Sequence, residues 1–272
     1  MSRLDDTFAA LRRESRTGLI TYVTAGDPDL GRSAEILLAL DRGGADVIEV
    51  GVPFSDPVAD GPVIERAAAR ARAGGGSLAT TLALVARVRS RLRAPIVLFT
   101  YVNPLLRLGE RAFAEQAAAA GVDGVLVLDL PIEEAGGFRD TLTTAGLDPI
   151  YLLSPTTTDE RVARAAALGR GFLYAISRLG VTGERDTLPK GAQALVERVR
   201  ARTTLPVAVG FGISRPGHVR EVGRYADAAV VGSALVSRLA EWAEAPDLTA
   251  RVEQFVAWLK ETGPGAASGE PA

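Results

Sequence analysis

The chain is 272 residues long, 47% apolar and 24% charged, enough to bury a large core without a disulfide or metal staple. Its net charge of −2 offers no general attraction for nucleic acid or an anionic membrane surface, and the absence of cysteine rules out disulfides, thiolate ligands and a cysteine nucleophile. The stretch from Met1 to Arg13 is charged throughout and lacks the apolar segment of a signal peptide, and no later run is long enough to span a bilayer, so a soluble cytoplasmic protein is expected.

Asp6 to Arg13 suits a short helix with Phe8, Leu11 and Leu4 on one side, and Leu19–Val23 is the first expected strand. Ala25-Gly26-Asp27-Pro28 then turns the chain into a helix that stops at Gly43-Gly44. Val47–Val50 follows as a buried strand, because Val47, Ile48 and Val50 are β-branched. Glu49 breaks its apolar character: a carboxylate in such a strand must be paired or neutral. Beyond it, Gly51, Pro53, Pro57 and Gly61 force a long irregular loop that carries Asp56 and Asp60, and Pro62 suits the first position of the next helix.

Further strands are expected at Ile96–Thr100, Val125–Leu128, Ile150–Leu153, Phe172–Ile176, Val207–Val209 and Ala228–Val231. All are near-continuous apolar runs, as parallel strands covered on both faces require. Gly44-Ala45-Asp46, Gly121-Val122-Asp123 and Gly146-Leu147-Asp148 recur between a helix and the next strand, with Tyr225-Ala226-Asp227 as a degenerate copy. Glycine ends the helix in a left-handed conformation, and a short polar turn leads into the strand. Eight strand-then-helix units in about 250 residues imply an α/β fold of the closed (β/α)8, or TIM, barrel type with an extra N-terminal helix. A doubly wound open sheet is the alternative. Residues 1–262 are expected to form one barrel domain and residues 263–272 a disordered tail.

In such barrels the reacting groups sit at the C-terminal ends of the strands and in the loops that follow. That rule gathers Glu49, Asp60, Tyr101, Asn103, Asp129, Tyr174 and Ser177 on one rim. Glu49 is either a reacting carboxyl or a core carboxylate satisfied by an arginine or a backbone amide. Asp60 is either a site residue or the cap of the helix beginning near Pro62. Gly210-Phe211-Gly212-Ile213-Ser214 and Gly232-Ser233, after the last two strands, suit the close approach of a phosphate, although glycine also marks plain turns. Gly183 lies in the polar loop Ser177 to Lys190, either a lid or a solvated insertion. The only histidine is His218 and the only lysines are Lys190 and Lys260, so a zinc site, a Ser-His-Asp triad and a Schiff-base lysine on a strand are all disfavoured. A carbon–carbon bond would have to be handled by carboxyl acid–base chemistry on a substrate that supplies its own electron sink.

The run from Val47 to Pro62 closely resembles the signature of the tryptophan synthase α subunit. The resemblance extends through Tyr22 to Pro28, Asp129-Leu130-Pro131, Ser177 to Gly183, Gly210 to Ser214 and Val231-Gly232-Ser233-Ala234, nearly the whole chain. It implies a cofactor-free barrel that cleaves indole-3-glycerol phosphate to indole and glyceraldehyde 3-phosphate. It also implies a pyridoxal-phosphate-dependent β subunit as partner in an αββα heterotetramer, which takes the indole through a tunnel. By the same resemblance Glu49 is the general acid–base at C3 of the indole, and Asp60 accepts the indole N–H. Tyr22, Tyr101, Tyr174 and Phe211 belong to the substrate pocket, Gly183, Gly212, Gly232 and Ser233 to the phosphate site, and Thr182 to the lid. Tyr22 stands where Phe is expected and Val102 where a second aromatic is common, which bears on the pocket and on β-subunit contacts. Three readings are open: the α subunit of a two-component synthase, a stand-alone lyase, and a non-catalytic subunit that only activates its partner.

Overall fold

Glycine-punctuated apolar runs alternate between strand and helix along the computed structural model, which describes residues 1–176, 191–210 and 212–261. The strands are β1 (Gly18–Thr24), β2 (Val47–Gly51), β3 (Ile96–Thr100), β4 (Gly124–Val127), β5 (Asp148–Leu153), β6 (Leu173–Ile176), β7 (Val207–Gly210) and β8 (Ala228–Val231). The helices among the described residues run α1 (Arg3–Arg13), α2 (Leu30–Gly43), α3 (Pro62–Ala73), α4 (Leu78–Val88), α5 (Val102–Leu108) and α6 (Glu110–Ala120). They continue with α7 (Ala135–Thr144), α8 (Asp159–Leu168), α9 (Gly191–Arg200), α10 (Pro216–Val222), α11 (Ser233–Glu241) and α12 (Leu248–Leu259). Every strand is parallel to its neighbours, and β8 pairs back onto β1 from Gly18↔Ala228 to Thr21↔Val231. The barrel is therefore closed, which removes the open-sheet alternative.

Strand alternation sorts the apolar residues into two layers. Leu19, Val23, Ile48, Val50 and Leu98 join the outer layer under the helices, whereas Ile20, Val47, Val97, Leu126, Ile150 and Phe172 fill the interior. The floor is closed by α1. Ser2 Oγ accepts the Asp5 N–H at 3.2 Å while the Asp5 carboxylate accepts the Ser2 N–H at 2.9 Å, and this capping box starts the helix at Arg3 rather than Asp6. Leu4, Phe8 and Leu11 are buried in the interior cluster, with the Phe8 ring 5.5 Å from that of Phe172. Side chains at Gly18 or Gly171 would run into Leu11 or Leu4, so the barrel base is shaped to receive this helix.

The recurring Gly-x-Asp turns also pin the floor. Asp46 accepts the Leu19 N–H at 2.8 Å, Asp123 the Ile96 N–H at 2.8 Å and Asp227 the Val207 N–H at 2.9 Å, each reaching back to the start of the preceding strand. Each also meets a guanidinium: Arg16 at 3.0 Å, Arg89 at 3.5 Å and Arg200 at 3.1 Å respectively. Asp148, in the remaining Gly-x-Asp copy, lies inside β5 and pairs with Arg170 at 3.3 Å, and its Oδ2 has no hydrogen-bond partner among the described residues. The Gly44 that ends α2 has a φ of 96°, as the left-handed stop requires. No helix among the described residues is long and apolar enough to cross a membrane. The tail expected at residues 263–272 lies outside the described residues.

Candidate active site

Glu49 lies midway along β2, in register with Tyr22 on β1 and Val97 on β3, and alternation turns its side chain into the barrel. It is 1% exposed, and among the described residues neither carboxyl oxygen has a hydrogen-bond partner. Among the described residues no arginine or amide satisfies it, as the reading of a core carboxylate would require. With nothing to hold the anion, burial pushes its pKa up to about 8, so the group carries a proton at neutral pH. It borders a cavity of about 650 Å³, open mouth included, whose walls also hold Tyr22, Asp60, Phe99, Leu128, Leu152 and Tyr174.

Asp60 reaches the same cavity from the loop after β2. That loop is folded on itself: the Asp60 N–H donates to the Pro57 carbonyl at 3.0 Å, and the Ala59 N–H donates to the Tyr101 hydroxyl at 3.1 Å. Helix α3 has Gly61 as its N-cap, Pro62 in its first turn and no side-chain cap, so Asp60 does not cap it. Burial raises the Asp60 pKa to about 6, opposed by the Tyr101 hydroxyl beside it. Near pH 7 the cavity thus holds one protonated carboxyl, Glu49, and one mostly ionised carboxylate, Asp60.

Gly212, Ile213, Gly232, Ser233 and Ala234 also line the cavity. Gly232 precedes α11, whose start has no side-chain cap, so the first N–H groups of that helix are open to an anion. Gly212 has a φ of 81°, which by itself favours glycine. Gly232 has no such reason: a Cβ there would approach nothing closer than 3.6 Å, so its small size leaves room for something other than protein.

Two tyrosines flank Glu49 in matching postures. The Tyr22 hydroxyl occupies the space of the missing Cβ of Gly51, and the Tyr174 hydroxyl does the same at Gly210. Tyr22 is in register with Glu49 and Tyr174 with Ala208, so each ring leans toward the second residue beyond its partner on the next strand. Burial raises both phenol pKa values well above the ordinary value, and both stay neutral. Gly51 is a site residue that sequence reasoning missed, as are Phe99, Leu128 and Leu152, while Gly210, expected beside the phosphate, instead makes room for the Tyr174 hydroxyl. Counting by twos from Glu49 along β2, or from Val97 along β3, was the signal that pointed to Gly51 and Phe99.

Tyr101 is buried but does not line the cavity; it stacks on Phe54 with ring centroids 5.1 Å apart and supports the Asp60 loop. Asp129 likewise stands outside, accepting the Val102 N–H at 2.7 Å. His218 is buried on α10, and its Nδ1 accepts the Ser214 N–H at 3.3 Å. Thr182, Gly183, Phe211 and the expected lid Ser177 to Lys190 lie outside the described residues.

The family model described as "Tryptophan synthase alpha chain" matches residues 8–263. The tryptophan synthase alpha chain of Burkholderia thailandensis is 48% identical over 268 residues, covering 98% of each chain. That of Solibacter usitatus is 46% identical over 260 residues, covering 96% of this chain and 97% of its own. Among solved structures, tryptophan synthase subunit alpha from Legionella pneumophila superposes with a TM-score of 0.88 at 36% identity, covering 96% of this chain and 98% of that one. A chain of Mycobacterium tuberculosis tryptophan synthase superposes with a TM-score of 0.87 at 41% identity, covering 95% and 98%. By sequence along nearly its full length and by the shape of its barrel, the chain belongs to the tryptophan synthase alpha chain family.

Proposed function

We propose that the chain cleaves indole-3-glycerol phosphate to indole and glyceraldehyde 3-phosphate, with Glu49 as the proton carrier. The observation that carries this reading is the buried, unpartnered carboxyl of Glu49 at the wall of an aromatic-lined cavity. Glu49 gives its proton to C3 of the indole ring, and the ring becomes a cation whose N–H is held by the Asp60 carboxylate. The electron pair of the bond between C3 and the side chain returns to the ring. The neighbouring hydroxyl loses its proton to the Glu49 carboxylate and becomes the aldehyde. Glu49 ends as it began, and no external acid, base or oxidant is consumed. Gly212, Gly232, Ser233 and the start of α11 hold the phosphate at the far end of the substrate, while Tyr22, Phe99 and Tyr174 wall the ring. Gly183, Phe211 and Thr182 join them by resemblance.

A pyridoxal-phosphate-dependent β subunit in an αββα assembly is the partner we assign to the rim. Val58, 81% exposed on the Asp60 loop, and Leu106, 57% exposed on α5, support that assignment, because apolar side chains so exposed beside a catalytic loop suit a protein surface. The test is to incubate the purified chain with indole-3-glycerol phosphate and measure both products, alone and with a β subunit. Equimolar indole and glyceraldehyde 3-phosphate are expected from wild type and neither from Glu49→Gln. Product formation that survives Glu49→Gln removes Glu49 from its role, and full activity unaffected by any β subunit makes the chain a stand-alone lyase.

A further inference from the structure

Between the end of β7 at Gly210 and the start of α10 at Pro216, Gly212 and Ile213 line the cavity, and Gly212 belongs to the phosphate site proposed for the substrate. Neither flanking element serves their backbone: the β7–β8 ladder ends at Gly210, and α10 has Arg215 as its N-cap without a side-chain bond. Among the described residues the one hydrogen bond made by residues 212–214 runs from the Ser214 N–H to His218 Nδ1, at 3.3 Å. His218 is the third residue of α10, and its side chain reaches back past the N-cap as a glutamate or glutamine does in a capping box, one residue further. It is 4% exposed, its own N–H donates to the Arg215 carbonyl at 3.0 Å, and Val219 and Val222 seat its helix in the outer apolar layer. The ring is therefore a fixed anchor on a packed element. An imidazole accepts at Nδ1 only while that nitrogen carries no proton, and it then does so without charge. A carboxylate in the same place would hold the amide equally well but would repel an anion bound at the loop, so a neutral acceptor suits a phosphate site.

We propose that His218 is a positioning residue for phosphate binding: its Nδ1 lone pair, through the Ser214 N–H, holds residues 212–214 in the conformation that receives the anion. This role rests on the phosphate site proposed above; two measurements on the unliganded chain test it separately. His218 is the only histidine, so nitrogen NMR of the labelled full chain reads its ring directly, and above neutral pH the proton should sit on Nε2 with Nδ1 bare. Amide hydrogen exchange at Ser214 should be about five- to tenfold faster in His218→Phe, which keeps a ring and removes the lone pair. His218→Leu repeats the comparison with a smaller side chain should the phenyl ring not fit. With glycerol phosphate as the probe, calorimetry should show about five- to tenfold weaker binding in His218→Phe, with indole affinity within about twofold of wild type. His218→Asn, whose amide oxygen takes the place of Nδ1, should restore glycerol phosphate binding to within about threefold. In cleavage assays the loss should appear as a rise in KM rather than a fall in kcat. A proton on Nδ1, Ser214 exchange unchanged in His218→Phe, or equal impairment in His218→Asn and His218→Phe overturns the inference. So does an equal loss of glycerol phosphate and indole affinity, the mark of a disturbed barrel. If wild type binds no glycerol phosphate, the phosphate site falls and the phosphate role of His218 with it, whereas the tautomer and the exchange still decide its hold on Ser214.

Discussion

The floor and the rim of this barrel use carboxylates in opposite ways. At the floor Asp46, Asp123 and Asp227 each accept a strand amide and meet an arginine, and the charge is spent on closing the barrel. At the rim Glu49 has no partner for either oxygen among the described residues, and burial drives it to hold a proton. The lesson is that the same functional group becomes structural or reactive according to whether its lone pairs are satisfied. Stability is concentrated where α1 and the Gly-x-Asp turns meet, and reactivity where the strands end in glycine and open loops.

The largest effect should come from Glu49→Gln, which keeps the size of the side chain and removes its proton. We expect a fall in kcat of about 10³-fold or more, roughly 4 kcal/mol of barrier, with substrate binding nearly unchanged. Single-turnover cleavage and equilibrium binding check this, and more than a tenth of wild-type turnover would show that the unpartnered carboxyl is not the proton carrier.

At the floor the comparison breaks the other way. Phe8→Ala leaves a cavity under Phe172 and should cost about 3–5 kcal/mol of unfolding free energy in urea, while kcat of the folded fraction stays close to wild type. A loss of kcat without a loss of stability would show that the two ends are not separable.

Glu49 also links the ends through pH. Its pKa is about 8 folded against an ordinary value of 4.5, so the folded state holds the extra proton between those values. Stability should therefore fall as pH rises from about 4.5 to about 8. Glu49→Gln is expected to be more stable than wild type at pH 8 by roughly 1–4 kcal/mol, and no more stable below pH 4.5. For turnover, Asp60 must be ionised and Glu49 protonated, so kcat/KM should rise through about pH 6 and fall through about pH 8. A pH-independent stability difference would mean that Glu49 is ionised in the folded protein.

The smallest effect sharpens the rim itself. Gly232→Ala meets no protein atom within 3.6 Å, so it should fold normally yet weaken glycerol phosphate binding about tenfold, near 1.4 kcal/mol, with indole affinity little changed. Calorimetry with the two ligands separates this from a damaged barrel, in which both affinities drop together.

Much of this contrast was legible in the residues. The apolar runs placed all eight strands to within a residue or two, and the glycine stops placed the turns between helix and strand. The recurring turn was visible, but its carboxylate role was not, because Asp46, Asp123 and Asp227 each reach an amide on the preceding strand and that pairing exists only once the barrel closes. Glu49 declared itself as a charge among β-branched residues. Asp60 did not, since a loop carboxylate one residue before a helix N-cap reads equally as a cap until Gly61 is seen without a side-chain bond. The Tyr22–Gly51 and Tyr174–Gly210 fits were hidden for a different reason: they join residues on neighbouring strands through an atom that glycine lacks.

The helix that seals the floor has a consequence for how the chain reaches its native state. Leu4, Phe8 and Leu11 precede every strand, yet they rest on Phe172, Ile150 and Ala228, which leave the ribosome much later. Contacts of such long sequence separation form slowly, because most of the intervening chain must already be ordered before they close. During synthesis the apolar residues of α1 therefore emerge well before the strands that bury them, and the barrel floor is completed only when the last strands arrive.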